Sequence, residues 1–276
     1  MSEIWMFTAP FNKKEHIGIL KELKNAWSEY DGKKYVIGYE KGRNGYRHIQ
    51  GRIQISANTD YKIVERIGKH KTRTRNVSRM FDRLSKSGIH CEKTEQWTDY
   101  ESKDGYFISS DDTEDVRLQR FGTTTEEQEN VLRLLESNND REVTVWYDKT
   151  GNVGKSWLTG HLWERHKAHY IRMTGSAESM IKDTCSKMSK ERRKIVVIDI
   201  PRATKWNNEL YQAIEVIKDG LIDDPRYSAN AMNIRGTKVL VMCNTMPKLD
   251  RLSADRWRIY ESAPLHADAH TCANTH

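Results

Sequence analysis

Hydrophobic and polar positions follow two different rhythms along the 276-residue chain. In the first part, short stretches alternate with period two, the pattern of strands with one buried face. Residues 4–9, rich in aromatic and apolar side chains, predict a strand. Residues 13–29 place Ile17, Leu20, Leu23 and Trp27 on one helical face. Asp31-Gly32 marks a turn. Residues 34–40 and 46–55 predict a hairpin closed by Arg43-Asn44-Gly45. A short helix at 60–67, a strand at 89–94 and a helix at 98–104 complete this part. Residues 109–124 are polar and acidic, and a helix is expected at 125–137. After Asn138-Asn139-Asp140 the rhythm changes to continuous apolar runs at 143–147, 194–200 and 238–243, separated by helical segments. That alternation predicts an α/β unit with a mostly parallel sheet. The expected organisation is a domain over 1–108, an acidic linker with a helix over 109–140, a second domain over 141–260 and a loose tail over 261–276.

Charge sharpens this division. Residues 1–110 carry 21 Lys/Arg against 14 Asp/Glu, residues 111–140 carry 3 against 9, and residues 141–276 carry 22 against 16. Two basic blocks flanking an acidic connector favour polyanionic partners, because neutralising phosphates releases counterions. A solvated lysine-rich surface accounts for the charge equally well. Cys91, Cys185, Cys243 and Cys272 form no CxxC pair, so a disulfide framework or zinc site is not expected, and a reducing intracellular setting is. No apolar run reaches the length of a membrane span, and the N-terminus lacks the features of a secretory signal.

The strongest chemical signal is Asp148-Lys149-Thr150-Gly151-Asn152-Val153-Gly154-Lys155-Ser156, between the apolar run Val143-Thr144-Val145-Trp146-Tyr147 and a helical stretch. Strand, glycine-bearing loop and helix start are the context of a phosphate-binding loop. Backbone N–H groups converge on phosphates, Lys155 adds charge, and the Ser156 hydroxyl can bind Mg²⁺. Lys149 stands where the strict pattern has its first glycine. Lys194-Ile195-Val196-Val197-Ile198-Asp199 has the form of a Walker B strand, whose acid holds the Mg²⁺ hydration shell. Asn244, ending a third apolar run, would orient the attacking water or sense the γ-phosphate. Arg256 would supply a guanidinium to a neighbouring subunit's nucleotide.

In the first part, alternation puts His48, Gln50, Arg52 and Gln54 on one face of a strand, with Glu40 ending the strand before it. A carboxylate, an imidazole and an amide oxygen form a mixed O/N set suited to Mn²⁺ or Mg²⁺. Taken alone, His48-x-Gln50 is more often a plain polar strand face. Tyr100-Glu101-Ser102-Lys103 places a phenol and an ammonium at i and i+3, on one side of a helix. A neighbouring cation and a metal-polarised phosphate would make that phenol a competent nucleophile. The basic stretch with Lys69, Lys71, Arg73, Arg75 and Arg79 suits DNA phosphates, and a solvated charge run remains an equal reading.

This ordered set resembles the replication initiator (Rep) proteins of small circular single-stranded DNA viruses of the circovirus, nanovirus and smacovirus type. Phe7-Thr8, His48-Ile49-Gln50 and Tyr100-Glu101-Ser102-Lys103 look like the three endonuclease motifs, and Glu40 stands at the additional metal-binding acid. The second part is similar to a superfamily-3 helicase: phosphate loop, Walker B at Asp199, motif C at Asn244, arginine finger at Arg256. The resemblance implies an α+β HUH endonuclease domain, an antiparallel sheet with flanking helices, followed by an α/β, AAA+-like P-loop NTPase. It implies attack by Tyr100 on single-stranded origin-hairpin DNA, a phosphotyrosine intermediate, and later rejoining. Glu40, His48 and Gln50 would hold Mg²⁺ or Mn²⁺, with Lys103 positioning the metal or neutralising developing charge. The second domain would use ATP with Mg²⁺ at residues 148–156, Asp199, Asn244 and Arg256. A hexamer or other ring assembled through the 109–140 helix, host replication machinery as partner, a host-nuclear location and no membrane association are further expectations. One departure is Ile200 after Asp199, where many such helicases carry a second acid.

Overall fold

The structure is a computed structural model, and it describes residues 2–11, 32–42, 44–56, 89–173, 175–224 and 230–263. The helices expected at 13–29 and 60–67, Arg43 of the turn, the basic stretch 69–79 and tail residues 264–276 lie outside the described residues. The chain divides into two units, Met1–Leu118 and Gln119–His276.

The first unit is built on five antiparallel strands: β1 (Ser2–Pro10), β2 (Gly32–Lys41), β3 (Arg47–Ser56), β4 (His90–Thr94) and β5 (Phe107–Ser109), in spatial order β4-β1-β3-β2-β5. Period-two alternation sends Phe7, Ala9, Ile49, Ile53 and Ile55 to one face, where they form a core with Ile89. The opposite face carries His48, Gln50 and Arg52 from β3. Glu40 and Gly38 of β2 pair directly with His48 and Gln50, and so share that face. The expected helix at 98–104 is a single 3₁₀ turn, Tyr100–Ser102. Residues i and i+3 eclipse on a three-residue turn more closely than on an α-helix, which brings Lys103 over Tyr100.

The second unit is a five-stranded parallel sheet: β6 (Val143–Tyr147), β7 (Ala168–Arg172), β8 (Ile195–Asp199), β11 (Lys238–Cys243) and β12 (Trp257–Glu261), ordered β12-β6-β11-β8-β7. Helices cover both faces. The unit boundary falls within α1 (Glu114–Phe121); the helices after it are α2 (Glu126–Ser137), α3 (Lys155–Glu164), α4 (Ala177–Lys190) and α5 (Asn208–Asp219). Val143 and Val145 pack with α4 and α5, whereas Trp146 packs with Val131 and Leu135 of α2 and Leu158 and Leu162 of α3. Alternate residues of one strand thus enter two cores, which is why β6, β8 and β11 read as unbroken apolar runs. A two-stranded hairpin, β9 (Leu221–Asp224) and β10 (Asn230–Asn233), follows α5.

Topology places the ligand crevice. From β6 the chain crosses to the far edge at β7 and returns through β8 to β11, then crosses β6 to β12 on the other side. Connections from β6 and β11 therefore diverge, and the crevice past their carboxyl ends is the switch point where open α/β sheets bind ligands.

The expected linker over 109–140 is corrected by this arrangement. Ser109 belongs to β5, the first unit continues to Leu118, and α2 buries Gln128, Val131 and Leu135 within the second unit. The apolar face of α2 is used in its own core, so it is not an apolar surface offered for assembly.

Candidate active sites

The β2–β3 ladder assembles the first site. Cross-strand pairing of Glu40 with His48 brings His48 Nε2 to 3.4 Å from Glu40 Oε2. Lys103 Nζ lies 2.8 Å from the same carboxylate oxygen and 3.6 Å from the Tyr100 ring centroid. One ammonium therefore joins the strand acid to the tyrosine, through a charge pair on one side and a cation–π contact on the other. Burial pulls the Lys103 pKa down, but Glu40 and Tyr100 outweigh it and hold the ammonium above its ordinary value. Tyr100 itself is half exposed, accessible to a macromolecular substrate. Tyr46 stacks on the His48 ring at 5.8 Å.

Glu40 Oε1 and His48 Nδ1 are buried without a hydrogen-bond partner. Orphaned atoms of this kind are costly unless something binds them. A carboxylate oxygen and an imidazole nitrogen fit an intermediate or hard divalent cation, with the half-buried Gln50 on the same face.

Two features that the sequence analysis left without a role hold the tyrosine turn in place. Gly38, paired with Gln50, lies under the backbone of Glu101: a Cβ there would sit 1.9 Å from the Glu101 carbonyl oxygen. Arg52, two residues past Gln50, donates from Nε to Glu101 Oε1 at 3.1 Å and from Nη1 to the Gln96 carbonyl at 2.5 Å. Both partners of this pair are buried. The parity of Arg52 with His48 and Gln50 was the available signal; its partner, 49 residues away, had none. Gly38→Ala is expected to displace the turn by about an ångström and to slow any DNA nicking that depends on Tyr100 by about 10²-fold. Single-turnover nicking at saturating DNA measures this, and an unchanged rate would mean the turn's seating does not matter.

The second site lies in the crevice between β6 and β11. The loop's left-handed positions are Gly151 (φ 90°), Asn152 (φ 68°) and Gly154 (φ 84°). Lys149 has no positive φ, so its lack of a glycine carries no backbone strain. The buried Asp148 organises the loop. Its carboxylate accepts from Thr150 N at 3.0 Å, Thr150 Oγ1 at 2.8 Å, Gly151 N at 2.7 Å and Lys155 Nζ at 3.2 Å. Burial alone would raise the Asp148 pKa; the Thr150 and Lys155 contacts overcome it and hold the carboxyl below its usual range. Lys155 also donates to the Cys243 carbonyl at 3.0 Å, and Asn244 Nδ2 to the Asp148 carbonyl at 2.6 Å. Asp199, at the end of β8, has its pKa raised by burial, with Lys155 acting against the rise. Ser156 is exposed in the first turn of α3. The structure thus brings residues 148–156, Asp199 and Asn244 to one sheet edge.

Two residues at this loop escaped the sequence analysis. Gln128 Nε2, held by the Thr125 capping box, donates to the Gly154 carbonyl at 3.1 Å. Arg202 Nη2 donates to the Thr150 carbonyl at 2.8 Å.

Arg256 is a correction. It is buried in the 3₁₀ turn just before β12, paired with Asp219 at 2.8 Å and Glu215 at 3.6 Å. Trp257 pairs with Val143, so Arg256 lies at the amino ends of the strands, opposite the loop after Tyr147. Its guanidinium is engaged inside the chain and is not presented to a neighbouring subunit.

In sequence the chain is similar to replication proteins of alphasatellites and of Banana bunchy top virus. Para-Rep C10 of Milk vetch dwarf C10 alphasatellite is 25% identical over 92% of this chain and 96% of that protein. Para-Rep C7 of Faba bean necrotic yellows C7 alphasatellite is 24% identical with the same coverage. The Master replication protein of Banana bunchy top virus is 29% identical over 50% of this chain and 45% of its own length. No family profile matches the chain. Among solved structures, the apo C-terminal region of NrS-1 aligns with a TM-score of 0.30 at 15% identity, over 54% of this chain and 40% of that one. A likeness that slight carries no argument.

Proposed function

We propose that the protein initiates rolling-circle replication by cutting and rejoining single-stranded DNA through Tyr100, with an ATP-driven helicase activity in the second unit. The observation that carries the reading is the contact chain Tyr100–Lys103–Glu40–His48 on one face of the first sheet. The first unit then acts as an HUH-type endonuclease and the second as a superfamily-3 helicase.

The Tyr100 oxygen attacks a phosphodiester phosphorus. The new O–P bond keeps the 5′ phosphate on the protein, and the P–O3′ bond breaks, with the leaving oxygen taking a proton. A phenol with an ordinary pKa near 10 is a weak nucleophile at neutral pH. Lys103, poised over the ring, stabilises the phenolate as it forms. Glu40, His48 and Gln50 would hold Mg²⁺ or Mn²⁺, which supplies Lewis-acid polarisation of the scissile phosphate. The tyrosine ester conserves the bond, so a later 3′-OH can reverse the step and close a circle.

In the second unit, residues 148–156 would hold the phosphates of ATP with Mg²⁺, Asp199 would hold the metal's hydration shell, and Asn244, which donates to the Asp148 carbonyl, would sense the γ-phosphate. The basic stretch 69–79, outside the described residues, grips DNA phosphates. Single-stranded and origin-hairpin DNA are the proposed partners, with a ring of like subunits, host replication machinery and the host nucleus as the setting. No helix among the described residues is long and apolar enough to cross a membrane.

The test is a labelled hairpin oligonucleotide incubated with the protein and Mn²⁺. A covalent adduct is expected, absent with EDTA and absent in Tyr100→Phe. An intact oligonucleotide under every divalent metal would overturn the nicking reading.

A further inference from the structure

Phosphoryl-transfer sites commonly add a guanidinium to the loop lysine, and Arg256, held by Asp219 and Glu215, does not provide it. Arg202 is placed to do so. It follows Asp199 by three residues and leaves β8 at the carboxyl edge of the sheet, the edge that carries the phosphate loop. Its Nη2 donates to the Thr150 carbonyl at 2.8 Å. The same nitrogen lies 2.5 Å from where a Cβ on Gly151 would be, so the guanidinium rests on the bare Cα of that glycine. Gly151 is therefore required twice, for its φ of 90° and for this approach.

The loop has need of added donors. The N–H groups of Thr150 and Gly151, at the first bend of the loop, are turned back onto Asp148 and are not offered to a ligand. The buried Asp148 carboxylate also adds negative charge beneath the phosphates. A guanidinium offers up to five N–H donors, and Arg202 is exposed with one bond, to a neutral carbonyl. A phosphate is a stronger acceptor than that carbonyl, since charge-assisted bonds are about twice as strong as neutral ones.

We propose that Arg202 contacts the terminal phosphate of a nucleoside triphosphate from within the same chain, exchanging the Thr150 carbonyl for phosphate oxygens when the loop fills. This deepens the ATPase reading of the same site and rests on it. It assigns a charge-neutralising role to a residue in cis.

The alternative is a strut that only shapes the loop. Arg202→Gln removes the charge and Arg202→Lys keeps one, and their relative binding of ATP and ADP separates the two. In the full-length chain, Arg202→Gln is expected to lower the phosphate-release rate by about 10²-fold or more. It is also expected to abolish any preference for ATP over ADP in equilibrium binding, leaving ADP affinity unchanged. Arg202→Lys should recover part of the ATP preference. Mixing Arg202→Gln with Lys155→Ala chains should restore no hydrolysis, because neither chain holds a complete site. Equal loss of ATP and ADP binding, or unchanged hydrolysis, would mark Arg202 as a strut and overturn the proposal. Recovered hydrolysis in the mixture would overturn the cis assignment. Failure of the wild-type chain to bind either nucleotide would instead overturn the phosphate-loop reading, and this proposal with it.

Discussion

Lys155→Ala is expected to lose phosphate release by about 10²–10³-fold, the scale for removing one preorganised donor aimed at developing charge. Covalent DNA adduct formation should persist, because Tyr100, Lys103 and Glu40 belong to the other unit. A malachite-green assay beside a denaturing-gel adduct assay on the same preparation reads both; equal hydrolysis by the variant would end the phosphate-loop assignment. The substitution has a pH signature as well. Asp148 has a depressed carboxyl pKa, so it contributes stability above the ordinary carboxylate pKa, and that contribution is lost as pH falls through the folded value. Removing Lys155 takes away part of the cause of the depression. The acid-unfolding midpoint of the second unit should therefore move to higher pH.

Arg52→Met is expected to destabilise the first unit by about 3–5 kcal/mol, the usual cost of leaving one member of a buried ion pair without its partner. Glu101 is buried, and its Oε2 already has no hydrogen-bond partner, so losing the Oε1 contact strips the carboxylate of its counter-charge. The double variant Arg52→Met/Glu101→Leu should regain most of that stability, because well-packed apolar replacements of buried pairs are near neutral. It should not regain nicking, because the pair also orients the turn that carries Tyr100 and Lys103. Thermal unfolding and the adduct assay, run as a double-mutant cycle, separate the two effects. A double variant that nicks at the wild-type rate would reduce the pair to a packing element.

Legibility in the sequence followed burial and range. Strands β6, β8 and β11 stand out because both faces are covered, leaving little room for polar residues. β7 and β12 lie at the sheet edges and carry His169, Arg172, Arg258 and Glu261, which dilute the apolar run. Glu40, His48 and Gln50 are legible because strand parity is a local property. Lys103 meets Tyr100 as expected, although on a 3₁₀ turn and not an α-helix. The contacts that hold the sites together are not local: Arg52 to Glu101 spans 49 residues, Gln128 to Gly154 spans 26, and Arg202 to Thr150 spans 52. No window of sequence contains both partners. Arg256 shows the converse, since a motif position gives no sign that Asp219 has claimed its charge.

Two glycines of the first sheet, Gly38 and Gly51, have a joint consequence. Gly38 leaves one surface bare for the Glu101 backbone, and Gly51, a diagonal neighbour across the β2–β3 ladder, leaves the other bare for the Phe7 ring. At that point only a single layer of peptide separates the greasy interior from the segment bearing the nucleophile. A bulkier or smaller ring at position 7 would press or slacken this thin partition, so an interior substitution with no access to DNA would retune the proposed strand-cutting step from behind.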